Sequence, residues 1–101
     1  MAVKLTVLYG PPTDPAAFER YYAETHMPLV AQIQGALRVE KGRVVGTPDR
    51  SPPPFHRIFE FWSESPEQME ASLGSAAGQA AIADIPNYAT GGVTIFVPNV
   101  D

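Results

Sequence analysis

The side chains that could move a proton here are two histidines, four tyrosines and 11 carboxylates, and no cysteine accompanies them. A thiolate nucleophile, a disulfide and a thiolate metal site are therefore excluded. His26 stands in the stretch Tyr21-Tyr22-Ala23-Glu24-Thr25-His26-Met27-Pro28-Leu29. Pro28 disfavours helical geometry at Met27, so the spacing predicts a helix that ends at His26. An imidazole at that end lies near unpaired carbonyls and the negative pole of the helix dipole, which favours the protonated ring and predicts a raised pKa. Such a group is either a general acid or base, or a cap on the last carbonyls.

The other candidates carry two readings each. Tyr21 and Tyr22 point about 100° apart on a helix, so at most one is core and the other presents its hydroxyl to a pocket or to the rim. His56 opens a strand beside Arg57, facing either the helices or the opposite side of the sheet. Trp62, with Phe59 and Phe61, makes a stacking wall for a ligand or packs as core and interface. Asp84, Asn87, Tyr88 and Thr90 border the same cavity or serve Asx-type turns. The two histidines stand 30 residues apart with no carboxylate at ligand spacing, so no metal site is expected. No glycine-rich phosphate loop, dinucleotide fingerprint or nucleophile elbow is present, so no nucleotide cofactor is expected either.

Around these residues the sequence lays out one domain spanning residues 1–101. Its net charge of -4 argues against a nucleic-acid partner. No apolar run approaches the roughly 20 residues of a membrane span. Met1 runs straight into a strand pattern without an export signal, which with the lack of cysteine predicts a cytoplasmic setting.

Val3, Leu5, Val7 and Tyr9 alternate with Lys4, Thr6 and Leu8 as a first strand, stopped by Gly10-Pro11-Pro12. Asp14 caps a helix over about residues 15 to 26 with Pro15 at its first position, and Phe18, Tyr21, Tyr22 and Thr25 mark one face. Leu29 to Ile33 adds a short turn before Gly35. Leu37 to Val45 and Phe55 to Trp62 read as strands, separated by the proline-rich loop Gly46 to Pro54. In the latter strand Phe55, Arg57, Phe59 and Phe61 take one face and His56, Ile58, Glu60 and Trp62 the other. Ser65-Pro66-Glu67-Gln68 is a capping-box pattern that starts a helix with Met69 and Leu73 inward. Gly74-Ser75 interrupts it, and an alanine-rich helix follows from Ala76 to Ile85. Val93, Ile95 and Val97 form the last strand, with Phe96 on its opposite face.

This β-α-β-β-α-β order predicts an α+β, ferredoxin-like antiparallel sheet with its helices on one face. Large apolar side chains occur on both faces, however, and a monomer of this size rarely leaves such a face in water. A homodimer through the open face follows, forming a dimeric α+β barrel with room for an apolar small molecule between the sheets.

The strand Lys4 to Tyr9 with Gly10-Pro11, the block Phe18-x-x-Tyr21-Tyr22-x-x-Thr25-His26-Met27-Pro28-Leu29, the strand His56-Arg57-x-Phe59-Glu60-Phe61-Trp62 and the close Ala83-Asp84-Ile85-Pro86-Asn87-Tyr88 together resemble the EthD family. The likeness covers nearly the whole chain, with the tyrosine-to-proline block its most specific part. Gln34-Gly35-Ala36 departs from the expected Ile-Pro-Gly-Leu pattern, which bears on the helix-to-strand junction. The family is named for ethyl tert-butyl ether degradation, its members are described as reductases, and the resemblance implies the dimeric α+β barrel superfamily, whose members include monooxygenases, isomerases, cyclases and haem proteins. By position His26 matches the family histidine and Tyr22 and Pro28 its flanks. The resemblance implies a catabolic enzyme of an oxidoreductase-labelled family with His26 as acid/base and Tyr22 beside it. The residue patterns themselves add Tyr21, His56, Trp62 and Tyr88 as candidates for holding substrate, and the absent motifs leave it without a cofactor. The alternative is a non-catalytic small-molecule-binding accessory protein for an oxidative pathway, with haem binding a distant third.

Overall fold

Val3, Val7 and Tyr9 bury on one side of β1 (Val3–Tyr9), while Lys4 and Leu8 on the other stay partly exposed. In the computed structural model, which describes residues 1–101, this strand lies inside a four-stranded antiparallel sheet. The others are β2 (Arg38–Arg43), β3 (Arg57–Ser63) and β4 (Val93–Phe96), in the order β2-β3-β1-β4. The register sets Val7 beside Phe59 and Ile95, and Leu8 beside Ile58 and Thr94. One face therefore gathers Val3, Val7, Tyr9, Phe59 and Phe61, and the helices cover it with Phe18, Tyr22, Met69, Ile85 and Tyr88 to make the core. The fold is the expected ferredoxin-like plan. Three strands begin or end inside their expected bounds, β2, β3 and β4, and β3 also runs one residue longer at its far end, to Ser63. His56 precedes β3, and Val97 falls beyond β4.

The first helical region differs from expectation in an instructive way. Asp14 caps α1 (Pro15–Tyr21) by accepting the Ala17 N–H at 3.1 Å. The chain does not stop at His26. It widens into a π-helical turn over Tyr22–His26 and continues as α2 (Met27–Val30). Proline inside an α-helix removes one backbone donor and collides with the carbonyl four residues back. Here the Met27 N–H reaches back to Tyr22 in the wide π pattern, and Pro28 falls in the first turn of α2, where a missing donor costs little.

The wide turn also decides which side chain faces the core. In a regular α-helix, seven residues bring a side chain back to within about 20°, so Thr25 would lie above Phe18. With the π turn inserted, Thr25 is exposed and His26 takes the inward place.

After α2, Gly35 turns the chain toward β2 at φ 93°, a left-handed geometry that favours glycine. The preceding Gln34 carbonyl accepts the Ser72 hydroxyl at 2.7 Å, so the departure from the family pattern leaves the junction tied down. The second helical region is split as expected into α3 (Pro66–Gly74) and α4 (Ala76–Asp84), followed by a 3-10 turn at Ile85–Asn87. Ser65 accepts the Gln68 N–H at 3.1 Å, but the Gln68 side chain bonds Ser72 instead of reaching back, so only half of the capping box forms. No helix is long and apolar enough to cross a membrane.

Candidate functional site

The helix side of the sheet holds a buried cluster of aromatic and polar side chains from four elements. Tyr22 and His26 come down from the π turn, Tyr9 rises from β1, Asp84 ends α4, and Tyr88 follows the 3-10 turn. His26 is 3% exposed. Its ring stacks near Tyr22 at 5.8 Å between centroids and lies 4.7 Å from the Tyr88 ring. The Tyr88 hydroxyl is hydrogen-bonded to that of Tyr9 at 2.6 Å.

Asp84 is the hub of this cluster. One oxygen, Oδ2, lies 3.0 Å from His26 Nδ1, and the other accepts the Tyr21 hydroxyl at 2.5 Å and the Asn87 amide at 3.0 Å. Burial opposes ionisation of Asp84, but these donors outweigh it, and its carboxyl lies below the usual range. An ionised carboxylate only accepts, so the proton of the neutral imidazole sits on Nδ1. Nε2 makes no hydrogen bond within the chain.

Burial lowers the pKa of His26 below the ordinary histidine value, and the Asp84 bond and charge only partly offset it. The expected rise from a helix C-terminus is thus overturned. No helix ends at His26, because the chain continues to Val30, and the imidazole meets desolvation in place of free carbonyls. Burial likewise pushes the Tyr9 phenol up to about 12 and raises Tyr22 and Tyr88, so all three stay protonated at neutral pH.

The remaining sequence candidates separate. Tyr21 and Tyr22 divide as their 100° offset requires, Tyr22 into the core and Tyr21 half-buried against Asp84. His56 faces the helices, although strand alternation grouped it with Trp62. It precedes β3, its Nε2 lies 2.9 Å from Glu19 and its ring meets Phe18 edge-on at 4.9 Å. Arg57 pairs with the same Glu19, holding that carboxyl below its usual range, and its guanidinium lies 4.6 Å above the Tyr22 ring. Trp62 is on the other face of the sheet, between Lys4 and Arg38. It cannot share a site with His26 in one protomer. The small-molecule space expected between two sheets likewise does not reach His26, which lies between the helices and their own sheet.

Two cavities flank the cluster. One of about 200 Å³ is lined by Phe18, Tyr21, Asn87 and Tyr88 with the polar Thr13 and Thr90. The other, about 320 Å³, is an apolar groove between α2 and β2. His26 lines neither. No group of three or more histidine, aspartate or glutamate side chains is placed to hold a metal ion. Asp84 is the residue whose weight sequence reasoning missed. Its signal was present in the inward positions Gly78, Ala81 and Asp84 of α4, which put a carboxylate on a buried face.

Residues 10–92 match the EthD domain. The chain belongs to the EthD family. It is 37% identical over 93 residues to an uncharacterized 11.0 kDa protein from the thcB-thcC intergenic region of Rhodococcus erythropolis, covering 92% of this chain and 89% of that one. An EthD family protein from Bacillus halodurans superposes over 100% of both chains with a TM-score of 0.93 at 29% identity. The fold alone is shared, at 13% identity, with two further structures. One is a dimeric ferredoxin-like protein from Thermobifida fusca (TM-score 0.76, covering 99% of this chain and 92% of that one). The second is SnoaB, a cofactor-independent oxygenase from Streptomyces nogalater (TM-score 0.69, covering 98% and 92%). This EthD chain thus shares its ferredoxin-like fold with proteins described as dimeric.

Proposed function

We propose that this EthD protein is a homodimeric, small-molecule-binding catabolic enzyme that uses His26 as acid/base on an apolar substrate, without a nucleotide cofactor. The observation that carries this reading is the 3.0 Å contact from His26 Nδ1 to Asp84 Oδ2. It fixes the proton on Nδ1 and leaves the Nε2 lone pair as the acceptor. Burial lowers the His26 pKa, so the imidazole stands in its neutral, proton-accepting form at neutral pH. When Nε2 takes a proton from a carbon acid or a hydroxyl, the imidazolium that forms lies beside the Asp84 charge, which stabilises it. Tyr88 and Tyr22 wall the ring on two sides and hold its plane. The SnoaB fold supports the cofactor-free reading, since that protein is described as an oxygenase independent of cofactors.

The homodimer uses the open face, where Leu8, Ile58, Trp62 and Phe96 are apolar and Phe96 is 45% exposed. The dimeric Thermobifida protein of the same fold is in keeping with this. Substrate enters between the helices and the sheet of each protomer, and the dimer face does not contribute to the chemistry.

A second reading, a non-catalytic accessory binder for an oxidative pathway, is favoured by one observation: His26 lines neither flanking cavity. Solvent-deuterium exchange at the acidic carbon of small apolar ketones, followed by NMR, separates the two. The enzyme reading expects exchange that falls by about 10²–10⁴-fold in His26→Gln. Compounds that bind without exchange, or an unchanged rate in the variant, leave the accessory reading standing.

A further inference from the structure

The groove between α2 and β2 has a chemical asymmetry that the proton chemistry above does not use. Met27, Val30, Ile33, Val39 and Phe61 make its walls, and its volume of about 320 Å³ falls at the lower end of small-molecule sites. Lys41 is its one charged lining residue. Arg57, on the same side of the sheet, is committed to Glu19, whereas Lys41 has no carboxylate within ion-pair distance. Its ammonium lies 6.0 Å from the centroid of the Tyr22 ring. The Tyr22 hydroxyl is itself buried without a hydrogen-bond partner.

We infer that this groove binds an amphipathic monoanion, with a chain or ring of modest size along Met27, Val30, Ile33, Val39 and Phe61 and a carboxylate-type head at Lys41. The inference rests on the reading of this chain as a small-molecule binder but not on His26 acting as acid/base. Charge complementarity selects the occupant. An unpaired ammonium at the end of an apolar trough rejects a cationic head and adds a charge-assisted bond to an anionic one.

Three probes of equal length test it: octanoate, octanol and octylammonium, titrated into the full-length protein and followed by amide NMR shifts. Octanoate is expected to move Met27, Val39 and Phe61, to bind about threefold to fivefold more tightly than octanol, and to lose that margin in Lys41→Gln, as befits an exposed charge pair. Octylammonium is expected to bind least. Lys41 is exposed, so the variant keeps the fold. Equal binding of octanoate and octanol at the groove, or an unchanged margin in Lys41→Gln, overturns the anion site while leaving a small-molecule protein. Shifts confined to the open face around Ile58 and Trp62, or none with any probe, overturn the groove as the site. Neither result bears on deuterium exchange in His26→Gln, which reports the acid/base reading separately.

Discussion

The two faces of the sheet solve opposite problems with similar residues. On the helix side Tyr9, Phe59 and Phe61 are buried by the chain's own helices, and the polar atoms among them converge on Asp84. On the open side Ile58, Trp62 and Phe96 stand among Lys4, Glu60 and Arg38, with Lys4 paired to Glu60 at 2.6 Å and both cations laid against the Trp62 ring. The first arrangement is enclosed and fixes one protonation state. The second is an apolar surface with a charged frame, suited to meeting another surface. In the proposed function, chemistry and association are divided by the thickness of one sheet.

The largest expected difference between the faces is in core packing. Phe61→Ala should cost about 3–5 kcal/mol in urea unfolding, because it opens a cavity beneath the helices. Trp62→Ala, on the partly exposed face, should cost about 1–2 kcal/mol in the isolated chain. Its stability should also lose the dependence on protein concentration that a dimer imparts. Equal, concentration-independent losses in the two variants would erase the distinction. In sedimentation velocity Ile58→Asp should shift the protein to monomer, while a helix-side change of the same kind should unfold it.

A subtler separation comes from pH. His26 has a folded pKa below its ordinary value of about 6.5, so the unfolded chain binds more protons as the pH falls past that point, and stability declines. Asp84, also depressed, adds a further loss once the pH falls through the ordinary carboxylate range near about 3.9. Thermal unfolding from about pH 7 to about pH 5 should therefore show a decline that flattens in His26→Gln. A decline of the same slope in the variant would place the acid sensitivity elsewhere.

The smallest expected effect concerns the two buried hydroxyls without partners, one on each face: Tyr22 among the helices and Thr6 on the open side. Replacing such a group by an apolar one of like shape is close to neutral or gains up to about 1 kcal/mol. Thr6→Val should raise or preserve the melting temperature, and a clear drop would mean that its hydroxyl has a partner in the dimer.

The strands, the Asp14 and Ser65 caps and the break at Gly74-Ser75 were legible because each is a local signal, a period of two or a side chain bonding an amide three residues on. Family membership was legible from the block around His26. What the sequence hid is non-local or irregular. Pro28 reads as a stop because local sterics favour one, and only the wide turn before it lets the helix pass. The pairing of His26 with Asp84 spans 58 residues and needs the tertiary fold to bring the two together. The side taken by His56 was open in the sequence, because it lies one residue outside β3, where alternation no longer governs direction.

The π turn makes the placement of Pro28 a matter of counting more than of chemistry. Ala23, Glu24 and Thr25 are exposed and bond nothing through their side chains, so exchanging them for other helix formers should be tolerated. Deleting any one of them would remove the surplus residue and close the turn to regular α geometry. His26, then seven residues on from Phe18, would keep the core face, but Pro28 would fall inside a continuous α-helix with a lost donor and a ring clash. In a library of variants this segment should therefore be permissive to substitution and intolerant of a change in length. Its information lies in its spacing.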